Sequence, residues 1–408
     1  MFFKHRSHDN DNKKPIKNEI IDTISAKSYS DLDEEERKEW SPIKPGHEKI
    51  PLFCKISLCI AALSLIIYAA TCLSEKFADF FNRHVSSFFR LIFAKITNVL
   101  PFSLAELLII LLPVIGFMLI WYLLKFRCET VKTARITTVC ILAISSLLFS
   151  SFVMCFSAGY RGASLDVKLG LDSQPVSPQE LYDASDYLTE RINELAPEIK
   201  YDESGFSIMP YSFSEMNDKL IEAYSRFCEK HNFINNFKSK LKPIFLSEPL
   251  SYTHITGIYT YFTGEANINV NFPDYSIPFT AAHELAHQRG IAREDEANMM
   301  AFLVCMESDD PYIRYSAYTN VYEYVVSALY KADKDMYRNV RAKLSRSFYN
   351  EQVAFSKFFD KYEKSVASQV SGVVNDAYLQ SQGTVGKRSY GMVVDLTVSY
   401  FKSKSIID

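Results

Sequence analysis

Three long apolar stretches constrain the fold of this 408-residue chain more than any other feature of its sequence. They cover residues 52–73, 104–124 and 136–156 and contain hardly any charged side chains. A helix needs about 20 apolar residues to cross the hydrocarbon core of a bilayer, and such stretches are rarely found inside globular proteins. The sequence therefore predicts a membrane domain at residues 51–158 with three transmembrane helices.

The basic residues that flank these stretches predict their orientation. They precede the first stretch, lie in its first turn or separate the second from the third: Arg37, Lys38, Lys44, Lys49, Lys55, Lys125, Arg127, Lys132 and Arg135. Because short cytoplasmic loops carry an excess of Lys and Arg, we expect both regions on the cytoplasmic side of the cell membrane. Residues 159–408 then lie outside the cytoplasm. The aromatic segment 74–103 is expected on that same side, along the membrane surface.

The remaining bulk properties exclude some classes of protein. Residues 1–50 are polar with few large apolar side chains, which predicts a disordered cytoplasmic tail. The net charge of −3 and the absence of any nucleic-acid motif exclude nucleic acid as the expected partner. Only Cys228 and Cys305 fall in the globular part. The sequence leaves a disulfide between these two residues as an alternative, but the apolar surroundings of Cys305 favour a packed free thiol.

Residues 282–290 have the residue types and the spacing of a zinc site on a helix. His283 and His287 are four residues apart, so both imidazoles fall on one helix face and can bind one metal ion. Glu284 lies beside them and can take a proton from water at the open coordination position. A solvated helix can carry the same pattern by accident. The apolar neighbours indicate burial instead, and buried His and Glu without partners would be costly.

A catalytic zinc ion needs a third protein ligand, and Glu294 and Glu296 follow the first helix closely. Glu294 and Asn298 lie along the middle of an apolar stripe, whereas Glu296 lies on the opposite side. The stripe consists of Ala297, Ala301, Val304 and Cys305. We therefore expect Glu294 to be the ligand, with Glu296 as the alternative, and Asn298 to hydrogen-bond a ligand. Gly290 is expected to end the first helix in a left-handed turn.

From His283 to Asn298 the chain reads His-Glu-x-x-His-Gln-x-Gly, then Glu-x-Glu-Ala-Asn. This pattern resembles the zincin peptidases whose third ligand is glutamate. From about residue 50 onward, the chain also resembles an uncharacterised family of bacterial membrane proteins with three N-terminal spans and a zinc-peptidase domain. The shared landmarks include residues 101–106, 262–267 and 375–391. Two features depart from the better-known peptidases, which have Asp in place of Asn298 and a longer connection between the two helices.

The resemblance implies a zincin-like fold and a zinc cofactor for residues 159–408. The residues themselves predict an α+β domain that is predominantly helical, with helices at 178–195, 214–231, 311–330, 333–349 and 351–370. A β-hairpin is expected from two strands, 257–262 and 266–270, around a Thr-Gly turn. In zincins the strand before the metal helix pairs with extended substrate. The hairpin is thus either a peptide-binding edge or an ordinary structural hairpin.

Several side chains outside the ligand set are candidates for contact with substrate. Glu265 and Asn267 lie in the hairpin, and Tyr378 and Tyr390 lie near the C terminus. A donor for the oxyanion of the reaction is also needed, and the candidates are Tyr378, Tyr390, Arg388 and His254. The tyrosines that precede this region are expected to be mainly packing aromatics: Tyr312, Tyr315, Tyr318, Tyr322 and Tyr324.

These patterns together predict a membrane-anchored zinc metallopeptidase. Water activated by zinc would attack the peptide bond, with Glu284 as general base. The expected substrate is a peptide or protein of the cell envelope. Two alternatives stay open: a catalytically silent zincin that acts as an envelope sensor or scaffold, and a zinc amidase that acts on a non-protein envelope substrate. The intact Glu284 disfavours the silent form, because a purely structural metal needs no base beside it.

Overall fold

The computed structural model describes residues 50–125, 130–172, 174–384 and 389–407, without the side chains of residues 123, 125, 130–134 and 389–391. The predicted tail, except its last residue, and the side chains of Arg127, Arg388 and Tyr390 lie outside this description. Leu52–Asp408 form one compact unit. The described residues are mostly helical and include one small three-stranded sheet, so the expected predominantly helical fold with a few strands is confirmed.

The three apolar stretches form the helices α1 (Leu52–Leu73), α4 (Leu104–Lys125) and α5 (Thr130–Cys155). All three are long and apolar enough to cross a membrane. α1 packs along α5 through small side chains such as Ser57 and Ser64, as helices do in lipid. On α4, Leu112 and Phe117 are 61% and 70% exposed. A helix that exposes apolar side chains on all sides is suited to lipid and not to water.

The segment between the first two apolar helices is helical and packs against the remainder of the protein. It contains α2 (Glu75–Phe80), a π-helical turn at Phe81–Ser86, and α3 (Ser87–Thr97). The hydroxyl of Ser74 caps α2 by accepting the N–H of Phe77 at 3.2 Å. Arg90 on α3 is only 1% exposed, so this segment buries a charged side chain in protein and is more than a surface-bound helix.

Beyond α5, helices α6 (Leu165–Leu169), α7 (Pro178–Leu195) and α8 (Phe213–Lys230) form one side of the globular part. The predicted helices at 178–195 and 214–231 are confirmed to within one residue. Both begin with a capping box, in which Ser177 pairs with Glu180 and Ser212 pairs with Glu215. Cys228 and Cys305 are both free thiols.

The sheet contains the strands β1 (Lys242–Pro243), β2 (Gly257–Thr260) and β3 (Glu265–Ile268), with the short helix α9 (Ser247–Ser251) after β1. Its order is β1-β3-β2, with β1 parallel and β2 antiparallel to β3. The predicted hairpin is confirmed, with Tyr259 opposite Ala266. β1 did not appear in the sequence patterns because two residues carry no periodicity. β2 forms one edge of the sheet.

The C-terminal half supplies helices α10 (Ile277–Gln288), α11 (Glu294–Met306), α12 (Pro311–Ala332), α13 (Lys334–Ala342), α14 (Arg346–Asp360), α15 (Val366–Ser381) and α16 (Ser389–Ser403). α11 is buried on nearly all sides, and α8, α10, α12 and α16 pack around it. The prediction of continuous helices over 333–349 and 351–370 is wrong. The chain breaks where Ser345 and Ser365 act as N-caps, each accepting a backbone N–H three residues ahead.

Candidate metal centre

Helix α10 carries both histidines in the interior of the protein. It begins with Pro278 in its first turn, where a missing N–H costs nothing, and most of its residues are buried. Because His283 and His287 are four residues apart, their rings lie one turn from each other, with centroids separated by 4.6 Å and planes at 89°. Both imidazoles therefore project from one face of the helix.

The turn after α10 brings the next helix back against it. Gly290 has a φ of 98°, and the N–H of Ile291 reaches the carbonyl of Ala286 at 3.1 Å. This left-handed end to the helix is the one predicted from the sequence. A Cβ on Gly290 would also lie 2.6 Å from Arg90 Nη2 and from Asn82 Oδ1. The packing of α3 thus adds a second reason for glycine at this position.

Three ligand atoms converge between α10 and α11. His283 Nε2 lies 3.3 Å from Glu294 Oε2, and His287 Nε2 lies 3.7 Å from Glu294 Oε1. One ligand atom from each residue can be chosen so that all three lie within 4.8 Å of one another. Atoms that are about 2.1 Å from a tetrahedral zinc ion lie about 3.4 Å apart. The donor set and its spacing fit one zinc ion.

The other ring nitrogen of each histidine is held by a hydrogen bond. His283 Nδ1 lies 2.9 Å from Asn298 Oδ1, and His287 Nδ1 lies 2.7 Å from the carbonyl of Ile291. Because both partners are acceptors, both Nδ1 atoms carry a proton, and each Nε2 atom faces Glu294 and offers a lone pair once it is deprotonated. Such partners orient the histidines in metal sites. Asn298 therefore occupies the supporting position expected for it.

Glu284 packs tightly beside the two histidines. A Cβ on Gly257 of β2 would lie 2.6 Å from Glu284 Oε1, so only glycine leaves room for this carboxylate. The backbone N–H of Tyr259 hydrogen-bonds the carboxylate, whereas Oε2 is buried without a partner. Burial raises the pKa of Glu284, and the two histidines only partly oppose that rise. A carboxylate with a raised pKa and one unpartnered oxygen is suited to accept a proton.

The charges of the site compensate one another when no metal is bound. Burial disfavours the ionised form of Glu294, but His287 and His283 outweigh burial and lower its pKa below the usual range. Burial likewise disfavours the charged form of His287, yet Glu294 and Glu284 raise its pKa to about 9. The metal-free centre thus retains a proton near His287 at neutral pH. A metal ion bound by these three residues would have to displace that proton.

Glu296, the alternative ligand, lies away from the two histidines. Its Oε1 accepts a hydrogen bond from Arg293 Nη1 at 2.8 Å and another from the N–H of Leu165 at 3.0 Å. The side chain therefore joins the start of α11 to α6. Of the two carboxylates, the structure brings Glu294 alone to the ligand cluster.

The hairpin residues proposed for substrate contact have other partners. Glu265 accepts the N–H groups of Leu104 and Ala105 at 3.0 and 2.9 Å, which caps the first turn of α4. Asn267 donates its amide to the carbonyl of Ile258 at 3.0 Å within the hairpin. Both carboxylate oxygens of Glu265 are thus used inside the fold, which argues against a substrate contact for this residue, whereas Asn267 Oδ1 is buried without a partner. The sequence could not show it, because Glu265 and Leu104 are 161 residues apart.

Tyr378 lies in an aromatic cluster beside the centre. Its hydroxyl accepts a hydrogen bond from Tyr160 at 3.3 Å, and its ring contacts Phe152 at 6.4 Å. Burial raises the pKa of Tyr378 to about 12, and Glu294 contributes to the rise. The ring of Phe156 meets His287 edge-on at 5.6 Å. His254, by contrast, uses its Nε2 on the carbonyl of Tyr362 at 2.8 Å.

Three residues of the site region were not identified from the sequence. Tyr160 reaches Tyr378, Gly257 makes room for Glu284, and Tyr324 lies close enough to Glu294 for its charge to act on the phenol. Burial, helped by Glu323 and Glu294, raises the pKa of Tyr324. A glycine at the start of an otherwise β-branched and aromatic run was the one available signal. Tyr324 resembled its neighbouring packing tyrosines too closely to stand out.

Comparison with known proteins places the chain in a family. No curated protein and no solved structure matches the chain. One family model, described as "Protein of unknown function (DUF3810)", matches residues 81–398. The match begins in the segment before the second apolar helix and includes all three candidate ligands. Since it covers well over half of the sequence, the chain belongs to the DUF3810 family.

Proposed function

We propose that this protein is a membrane-anchored zinc metallopeptidase. The observation that carries the proposal is the convergence of His283 Nε2, His287 Nε2 and the Glu294 carboxylate, 3.3 and 3.7 Å apart. Two imidazoles and one carboxylate form the ligand set of catalytic zinc sites that leave a fourth position for water or substrate. The three helices that are apolar enough to cross a membrane supply the anchor.

The protein residues around the ligands have separate roles in the proposed hydrolysis. Zinc, when bound, supplies Lewis acidity that polarises the scissile carbonyl and acidifies water. Glu284 accepts the proton of the attacking water through its unpartnered Oε2 and returns it to the leaving amine. Asn298 and the carbonyl of Ile291 hold both imidazoles in orientation. Tyr378, whose pKa Glu294 helps to raise, is a candidate donor to the developing oxyanion.

The edge strand β2 supports a peptide as the substrate. The carbonyls of Thr256 and Thr260 accept N–H groups from Asn269 and Gly264, so residues 256, 258 and 260 face β3. In an antiparallel pair the backbone groups alternate in direction, so the N–H and C=O groups of Gly257 and Tyr259 point away from β3, toward the free edge of β2. Glu284 is bound at that edge through the N–H of Tyr259. An extended peptide added along β2 would bring its backbone past the catalytic carboxylate.

The decisive experiment combines metal content with hydrolysis in the full-length protein in detergent. We expect about one zinc ion per chain. Glu284→Gln should keep the zinc, because both histidines and Glu294 remain, and should lower peptide hydrolysis by about 100-fold to 10,000-fold, the usual contribution of a general base. A wild-type protein that binds no zinc after exposure to excess metal would contradict the proposal.

The same variant separates an enzyme from a silent scaffold. Cells that lack the protein are complemented with wild type or with Glu284→Gln, at equal expression. We expect the variant to fail wherever the phenotype depends on hydrolysis. Full complementation by Glu284→Gln would favour the sensor or scaffold alternative. Release of a non-protein envelope fragment by wild type alone would favour the amidase alternative.

A further inference from the structure

One buried guanidinium joins an apolar helix to the helix that carries the histidines. Arg90 donates from Nη1 to the carbonyl of Cys155 at 2.8 Å and from Nη2 to the carbonyl of Arg289 at 3.3 Å. Cys155 is the last residue of α5, and Arg289 is the residue that follows α10. The end of the third apolar helix and the end of the metal helix therefore lie within reach of a single side chain.

The last turn of α5 also forms part of the wall of the metal centre. Phe156, the first residue after α5, meets the ring of His287 at 5.6 Å. One turn earlier, Phe152 contacts the rings of Tyr261 and Tyr378 at 5.4 and 6.4 Å. No linker separates the apolar helix from the candidate ligands, so the centre lies at the height where this helix ends.

The other two apolar helices meet the globular part at the same end. At the start of α4, Glu265 of the sheet caps the helix, and Glu106 accepts the N–H groups of Phe245 and Leu246 at 2.9 and 2.7 Å. Just after α1, Asp79 accepts the N–H of Ala163 at 3.0 Å. The end of α1, the start of α4 and the end of α5 therefore all contact the globular part, which leaves no gap between it and the membrane helices.

Exposed apolar side chains surround the first turn of α4. Phe245 and Val99 are 87% and 83% exposed, and Phe102 is 46% exposed. Because the backbone of Phe245 is bound to Glu106, this ring lies at the level where α4 begins. Apolar side chains at that level are stabilised by the interfacial region of a bilayer, where aromatic residues are enriched. Continuity with α4 thus identifies lipid as the occupant of this surface.

We infer that the metal centre works at the membrane surface and that its substrates are polypeptides anchored in the same membrane, cut close to the point where they leave it. The inference rests on the peptidase function proposed above. An extended chain advances about 3.3 Å per residue. A centre at the end of α5 is therefore within reach of the first ten or so residues outside the bilayer. A protease whose site stands clear of the membrane cannot reach those residues.

Proteoliposomes of the full-length protein test the substrate class with three probes that contain one mixed-sequence, fluorescence-quenched peptide library. In the first probe, about 3 Gly/Ser residues join the library to an apolar helix of about 20 residues. The second has a spacer of about 30 residues, with a mean end-to-end distance of about 30 Å. The third has no helix. Glu284→Gln is the matched control and should cut none of them.

We expect the short-spacer probe to be cut at least as fast as the long-spacer probe and about tenfold faster than the free library. Cutting of the long-spacer and free probes with sparing of the short-spacer probe would overturn the inference. Equal rates on the short-spacer and free probes would overturn it too. If zinc-loaded wild type cuts none of the probes, the peptidase proposal fails and the substrate class fails with it.

A depth measurement tests the position of the centre without any catalysis. Phe245→Trp is introduced after Trp40 and Trp121, the two native tryptophans, are replaced by Phe. We expect phospholipids brominated near the headgroup to quench its fluorescence strongly. Tyr330→Trp is the control, because Tyr330 is 47% exposed on α12, which packs against α7 and α13. A tryptophan at position 245 that is quenched no more than the one at position 330 overturns the inference, even if the peptidase is active.

Discussion

The interior of this protein contains two clusters of carboxylates with very different surroundings. At the metal centre, Glu294 faces two imidazole nitrogens, and Glu284 retains an unpartnered oxygen. In the second cluster, between α12 and α14, Glu351 accepts the N–H of Ser207 at 2.8 Å and the hydroxyl of Tyr315. Glu323 lies nearby, with burial raising its pKa to about 7. Burial also raises the pKa of Glu351.

The comparison shows why burial and a perturbed pKa do not by themselves identify a site. Around Glu351 every described partner is a hydrogen-bond donor, so the carboxylate is satisfied and no lone pairs converge. At the candidate metal centre, hydrogen bonds to the far side of each ring direct the Nε2 atoms of His283 and His287 toward the same space as Glu294. The second arrangement is costly unless a proton or a metal cation compensates the buried carboxylate.

The largest difference between the two clusters is expected in zinc affinity when a histidine is lost. Structural zinc sites with four ligands bind with about 10 to 16 kcal/mol, so an even share is about 2.5 to 4 kcal/mol for each ligand. We expect His283→Ala and His287→Ala to weaken zinc binding by about 70-fold to 900-fold, because each 1.4 kcal/mol is about tenfold in affinity. Glu351→Gln should lower the melting temperature and leave zinc affinity unchanged. Competition with a fluorescent chelator measures the affinity. If all three variants lose zinc affinity equally, the two clusters do not differ in metal binding and the comparison is wrong.

The two glutamates of α11 allow a closer test. Glu294→Gln should weaken zinc binding by about a hundredfold, because a neutral amide replaces a charged ligand. Glu296→Gln should bind zinc like wild type but unfold more easily by about 1 to 3 kcal/mol, because the buried bond to Arg293 is weakened. Zinc titration and thermal unfolding are compared in the same preparations. Greater zinc loss at position 296 would exclude Glu294 as the ligand.

Removal of the hydrogen bond between Asn298 and His283 should have a smaller effect on zinc affinity than loss of a ligand. We expect Asn298→Ala to weaken zinc binding by about 10-fold to 100-fold, because the ring of His283 loses its orienting partner. The control is Asn217→Ala, which removes another buried amide that accepts the N–H of Leu241 at 3.0 Å. That variant should lose stability and keep its zinc affinity. If both variants bind zinc equally well, Asn298 has no supporting role at the metal.

The pH dependence of zinc binding reports the proton retained in the metal-free centre. The pKa of His287 is raised to about 9, so below that pH the imidazole is protonated before metal binds. Zinc binding must then release this proton. The affinity for zinc should therefore fall about tenfold for each unit by which the pH is lowered from about 8.5 to about 7. Calorimetry in buffers of different ionisation enthalpy counts the released proton directly. Affinity that does not change over this range would contradict the assignment.

The smallest effect on function is expected at Glu265. Glu265→Gln should leave hydrolysis and zinc binding within about twofold of wild type, because the side chain caps α4 and does not face the centre. The lost charge at that helix N terminus should cost about 0.5 to 2 kcal/mol of stability. Peptide hydrolysis and thermal unfolding of the full-length protein are the measurements. A large fall in kcat/KM with unchanged stability would show that Glu265 contacts the substrate, as the sequence first suggested.

The sequence sufficed wherever a local pattern carried the information. The spacing of His283 and His287, the apolar stripe that separates Glu294 from Glu296, and Gly290 at the helix end are all features of short segments. The structure brings His283, His287 and Glu294 together as those segments suggest. The three apolar helices and the hairpin were also predictable, because length and alternation are visible in one dimension.

What the sequence could not supply was contact over long distances in the chain. Glu265 caps a helix that begins 161 residues earlier, and Asn82 donates to the carbonyl of Gly290, which is 208 residues away. The break after α14 was missed for a different reason. Residues 351–370 keep a helical pattern throughout, and only the tertiary position of Ser365, whose hydroxyl also reaches the carbonyl of Tyr252, identifies the new start.

The close crossing of Gly159 over the turn at Gly290 has a consequence for how the protein is made. A Cβ on Gly159 would lie 2.5 Å from the carbonyl oxygen of Gly290, and Arg90 and Asn82 bind the same turn. During synthesis the ribosome completes residue 159 long before it reaches the histidines, so the N-terminal helices are available as a template for that turn. We expect a newly made chain to acquire its working centre only after it has entered the membrane. If the centre hydrolyses peptides as proposed, chains that fail to insert would lack that activity.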